Sequence, residues 1–141
     1  MKILTWWLRI VGAFYLLQFV MIVIVKAPIS AQGPVGALAQ AEAGDAMARF
    51  VVDTWVTFGL EVGAIGIGLL LASLRPAESK SLVWTIIAIE LARGIIADIY
   101  LISRGEKLLV LVPWLVIHTL IITTGILVLR IKTPNISNQS R

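Results

Sequence analysis

The sequence predicts an all-α protein, an integral membrane antiparallel four-helix bundle that occupies residues 1–141 as a single domain. Three observations predict it. Hydrophobic residues make up 59% of the chain and charged residues 14%, against about 25% charged in ordinary soluble domains. The apolar residues gather into four blocks at residues 4–25, 48–74, 81–103 and 108–129, each long enough to cross a bilayer as a helix at about 1.5 Å per residue. The third block nevertheless carries Glu90, Arg93 and Asp98. At roughly 2.5 to 3.5 kcal/mol each in the bilayer centre, such groups require the other spans to provide an interior for them.

The first block opens on Lys2, Trp6, Trp7 and Arg9. A basic start before an apolar run also describes a secretory signal, with Ile29-Ser30-Ala31 as its cleavage site, but the run is long for that purpose and a retained helix is expected. Arg9 lies near enough to the end to reach the headgroups. Residues 26–47 form the one long connection, in which Val35 to Ala43 is rich enough in alanine for a short surface helix and Asp45 is placed to cap the second span. Arg75 to Lys80 and Arg104 to Lys107 are tight polar turns, punctuated by Pro76 and Gly105. Short turns force antiparallel neighbours.

Orientation follows from the basic residues. With both termini cytoplasmic, the inner side holds Lys2, Arg9, Arg75, Lys80, Arg130, Lys132 and Arg141, and the outer side Lys26, Arg49, Arg104 and Lys107. Seven against four satisfies the positive-inside rule. Trp6, Trp7 and Trp84 then fall at the inner interface, and Trp55 and Trp114 at the outer one. The expected location is therefore a membrane, crossed several times, with both termini on its cytoplasmic side.

Composition also excludes chemistry. With no cysteine and one histidine, the chain offers no disulfide, thiolate or multi-histidine metal site. Its basic residues sit at the ends of apolar blocks rather than along one face, so nucleic acid is not expected as a partner. Glu90 and Arg93 do not make the Glu-x-x-His of a di-iron bundle. No metal and no cofactor is expected.

The candidate site is the polar set inside the spans: Asp53, Thr57, Glu61, Glu90, Arg93, Asp98 and His118. Asp53, Thr57 and Glu61 recur every fourth residue and share one face of the second span. Gly59 and Gly63 lie on another, a small-residue packing signal. Antiparallel placement brings Glu61, Glu90, Arg93 and His118 within about 3 Å of the midplane, with Asp53 and Asp98 nearer the outer side. Arg93, at i+3 from Glu90, is the expected anchor of a centre shared with Glu90 and Glu61. His118 is expected at its edge, because a lone intramembrane histidine is more often a packing residue than a ligand. A structural ion-pair network remains open, yet four acids against one arginine leave carboxylates that must take up protons or hold a ligand.

The residues DTWVTFGLEVGAIG (Asp53 to Gly66), IELARGIIADIY (Ile89 to Tyr100) and the opening LRIVGAFYLLQF resemble the BphX-like family of small bacterial integral membrane proteins. The resemblance covers nearly the whole chain and transfers no catalytic motif. It implies an inner-membrane protein that helps to take up or handle hydrophobic aromatic compounds.

Three functions stay open. One is a non-enzymatic protein, in contact with membrane lipid, that binds or passes a small hydrophobic or weakly acidic molecule; this is favoured. Another is a membrane-embedded enzyme using Glu61 and Glu90 as acid and base, with Arg93 as charge stabiliser. The third is an accessory subunit whose Gly59/Gly63 face packs on a larger membrane partner, and a homo-oligomer is also open.

Overall fold

The computed structural model describes residues 2–25, 40–42 and 44–131, which form helices joined by short turns and contain no strand. Helix α1 spans Lys2–Phe19 and continues into a π-helical turn, Val20–Ile24. Helix α2 spans Ala46–Ala72. A 3-10 turn, Pro76–Glu78, leads into α3, Lys80–Ile89, which runs through a π-helical segment, Glu90–Ile96, into α4, Ala97–Ser103. Helix α5, Leu108–Arg130, follows.

The helix ends form where the punctuating residues stand. Asp45 Oδ1 accepts a hydrogen bond of 2.7 Å from the Ala48 amide, so α2 starts at a capped turn two residues before its expected boundary. Its other end is closed by Ser79, whose hydroxyl is within hydrogen-bond distance of the Ala72 and Arg75 carbonyls, at 3.1 and 2.9 Å. Gly105 adopts φ +95°, the left-handed conformation that lets the chain turn back from α4 into α5. Residues 40–42 of the expected surface helix are helical; the rest of it lies outside the described residues. So do the proposed cleavage site, Lys26, Lys132 and Arg141.

Among the described residues, three helical stretches are long and apolar enough to cross a membrane: Lys2–Ile24, Ala46–Ala72 and Leu108–Arg130. The remaining expected span departs from a continuous α-helix. Its charged stretch is a π-helix of seven residues, beginning at Glu90 and containing Arg93, with Asp98 just beyond it. A π turn closes i→i+5 hydrogen bonds and is wider than an α turn. That changes which side chains share a face.

The chain divides into two units, with the boundaries at residues 8–9 and 71–72. In the unit of residues 9–71, α1 and α2 pack as an antiparallel pair on small residues. Gly12 meets Gly66 and Leu69, Gly63 lies beneath Phe19, and Gly59 beneath Ile22 and Val23. A Cβ built on Gly12 would lie 3.1 Å from the Gly66 carbonyl oxygen, so the two backbones are nearly in contact. The small-residue face expected to receive a partner protein is therefore occupied by α1 of the same chain.

In the other unit, α3, the π-helical segment and α4 run antiparallel to α5. Ile87 lies over Gly125 near one end of the pair, and Gly94 over His118 further along. The start of α1 joins them: Trp7 also covers Gly125, and its indole N–H donates to Thr124 Oγ1 at 3.0 Å. Val83 and Ile86 are fully buried there, as is Leu8. On α5, Leu111, Ile121 and Gly125 are the buried positions, and His118 stands on the line that joins Leu111 to Gly125 at seven-residue spacing.

Candidate functional site

The site forms where the π-helical segment faces α5. In an α-helix every fourth residue advances about 40° round the axis, which would carry Asp98 well away from Glu90. The wider turn removes much of that drift. Glu90, Gly94 and Asp98 are consequently all buried, and two carboxylates lie on either side of a residue with no side chain.

His118 fills the space above that glycine. A Cβ at position 94 would overlap the imidazole ring, so glycine is what lets the ring approach the π-helical backbone. Trp114, one turn earlier on α5, stacks on the imidazole with ring centroids 6.3 Å apart and planes inclined by 28°. The two ring nitrogens point at different acids. Nδ1 is 2.5 Å from Glu90 Oε2, a short charge-assisted contact, and Nε2 is 3.9 Å from Asp98 Oδ2.

Burial makes the arrangement demanding. The side chains of Glu90, Asp98 and His118 are 5, 10 and 17% exposed. Asp98 Oδ2 is fully buried and accepts no hydrogen bond, because 3.9 Å from Nε2 is beyond the range in which an N–H donates. An unsatisfied buried carboxylate oxygen costs more than its neutral counterpart, and such groups mark places where a proton, a water or a ligand is held. With Nδ1 engaged by Glu90, only Nε2 and Asp98 among the described residues face each other here as donors to a metal. Two ligands fall short of the three or four protein ligands of a resident zinc site.

The structure thus brings together Glu90, Asp98 and His118 from the expected set. His118, expected at the edge, is the residue between the two acids; helical spacing alone hides this, because it says nothing about which residue sits opposite Gly94. Arg93, the expected anchor, is on the exposed side of the π-helical segment. Asp53, Thr57 and Glu61 stand on α2 in the other unit, where all three are exposed and share one face as their spacing predicts. Gly94 and Trp114 were absent from that set. The signal for Gly94 was a glycine one turn after a buried acid, and for Trp114 its position four residues before the histidine.

Compared with models of known protein families, the chain matches the one described as BphX-like over residues 1–133. No curated protein and no solved structure matches it.

Proposed function

The chain belongs to the BphX-like family, and from that premise we propose that it is a multi-pass protein of the bacterial inner membrane whose Glu90–His118–Asp98 group binds or passes a small hydrophobic or weakly acidic molecule. Three apolar helices support the membrane reading. So does the surface: large apolar side chains such as Ile10, Leu17, Leu60, Ile67, Val116 and Leu127 are exposed along α1, α2 and α5, as lipid contact favours and water does not. In this reading α3, the π-helical segment and α4 make the fourth crossing, antiparallel to α5, and the basic residues hold both termini in the cytoplasm.

The observation that carries the binding reading is Asp98 Oδ2, a buried acceptor without a hydrogen bond beside a histidine nitrogen. A ligand hydroxyl or carboxyl group satisfies both at once, donating to Asp98 and accepting from Nε2–H. Trp114, stacked on the ring, presents an apolar surface to the body of such a molecule. Glu90 and His118 also resemble the orienting half of a hydrolytic triad. Nε2 faces a carboxylate rather than a hydroxyl nucleophile, so binding is the better supported of the two.

The test is thermal unfolding of the detergent-purified protein with phenol, which donates its own hydroxyl proton, and with benzoate, which must take up a proton to share with Asp98. Stabilisation of the unaltered protein by either, at least halved in Asp98→Asn, is the expected result. No shift with either compound, or equal shifts in both proteins, overturns the binding site.

A further inference from the structure

The geometry points to Glu90, His118 and Asp98 as a proton relay, in which the imidazole carries a proton between two carboxylates that do not touch each other. The inference rests on reading this trio as the functional site and assigns it a second activity, proton transfer. Its warrant is the asymmetry of the two contacts. At 2.5 Å, Glu90 Oε2 and Nδ1 share a hydrogen in any protonation state that bonds them, so a proton passes between them with little movement. At 3.9 Å, Nε2 and Asp98 Oδ2 are separated by a gap that must close to about 3 Å before a proton crosses. One side is loaded and the other is held open.

The step balances. Protonated Glu90 gives its proton to Nδ1, breaking an O–H bond and forming an N–H bond; Nε2 gives its proton to the Asp98 carboxylate, breaking an N–H bond and forming an O–H bond. Glu90 is left ionised, Asp98 neutral, and the imidazole neutral with its proton on the other nitrogen. Charge is conserved, and the ring changes only its tautomer. Gly94 beneath the ring and Trp114 against it hinder a ring flip. The ring therefore regains its first tautomer through the imidazolium by the reverse transfer, so the trio shuttles a proton reversibly between the two carboxylates rather than conducting protons in one direction. Of the elements packed on α5, the π-helical segment carries Glu90, buried, and Arg93, exposed, α4 carries Asp98, buried, and α3 and the start of α1 carry the exposed Lys80 and Lys2; the described part of α5 adds only His118 and, at its end, Arg130.

The chain has one histidine, so the full-length protein labelled with nitrogen-15 histidine in detergent micelles reports Nδ1 and Nε2 without overlap. A far-downfield proton on Nδ1 that disappears in Glu90→Gln is expected. In Asp98→Asn the Nε2 resonance should shift, Nδ1 should not, and exchange of the Nε2 proton with water should slow about a hundredfold, as removal of a positioned acid–base group does. If Asp98→Asn does not fold, Asp98→Glu keeps the carboxylate and should retain fast exchange. An Nε2 resonance and exchange rate indifferent to Asp98, or an Nδ1 proton indifferent to Glu90, overturns the relay. The two proposals separate in the same samples. Loss of phenol and benzoate stabilisation with the Nε2–Asp98 coupling intact removes the binding reading alone, and the converse removes the relay alone.

Discussion

At position 94 a hydrogen atom is all that the imidazole of His118 leaves room for. Gly94→Ala should therefore push the ring from Glu90 and destabilise the protein by about 1–3 kcal/mol, as overpacking does. The check is the unfolding midpoint in detergent, together with loss of the downfield Nδ1 proton; an unchanged midpoint and spectrum would mean that the helices part easily here. A complementary test concerns the pair itself. Removing either member of a charge-assisted hydrogen bond costs about 1.5–3 kcal/mol, and residues in direct contact are coupled. In a cycle of Glu90→Gln, His118→Ala and the double variant, the double variant should lose clearly less than the two single losses added together. Additive losses would show that the 2.5 Å contact contributes nothing to stability.

Among the helices, the glycines of α2 make a graded prediction because their neighbours differ. Gly63 lies under the Phe19 ring and Gly59 under Ile22 and Val23, whereas a Cβ on Gly68 would meet nothing. Gly59→Leu or Gly63→Leu should force α1 off α2 and abolish folded yield. Gly68→Ala should leave the yield intact and raise stability by up to about 1 kcal/mol, since alanine loses less backbone entropy than glycine in a helix. Fluorescence-detected size exclusion of the three variants compares them directly. Equal behaviour at Gly63 and Gly68 would remove the seam. The turn at Gly105 obeys a different rule: space is open there but φ is +95°, so Gly105→Ala should cost about 1 kcal/mol through the backbone alone.

For the molecule as a whole, the proposed orientation is tested by single cysteines, which the chain permits because it has none of its own. Ser79 is a poor site for one: its hydroxyl closes the end of α2 and the residue is buried. Ala77 and Glu42 are exposed. With the termini cytoplasmic, Glu42→Cys should react with a membrane-impermeant thiol reagent in spheroplasts and Ala77→Cys should react only after lysis. The opposite pattern reverses the orientation. Reaction of both before lysis removes the expected topology.

Helical class, three helices long and apolar enough to cross a membrane, the cap at Asp45, the turn at Gly105 and the Gly59/Gly63 seam were all legible in residue type and spacing, because each depends on local chemistry that a few neighbouring residues express. Family membership was legible too, in motifs that extend along the chain. The site was legible only as a set of residues. Spacing treats a helix as regular at about 100° per residue, and the π-helical turn from Glu90 to Ile96 breaks that regularity at the charged residues. Tertiary packing then decided what no local pattern encodes: that Gly94, rather than any polar residue, admits His118, and that the histidine ring meets both Glu90 and Asp98. A side chain's depth in a helix follows from its place in the sequence, but its partner across a helix pair follows from the register and the local width of both helices, which only the packed structure determines.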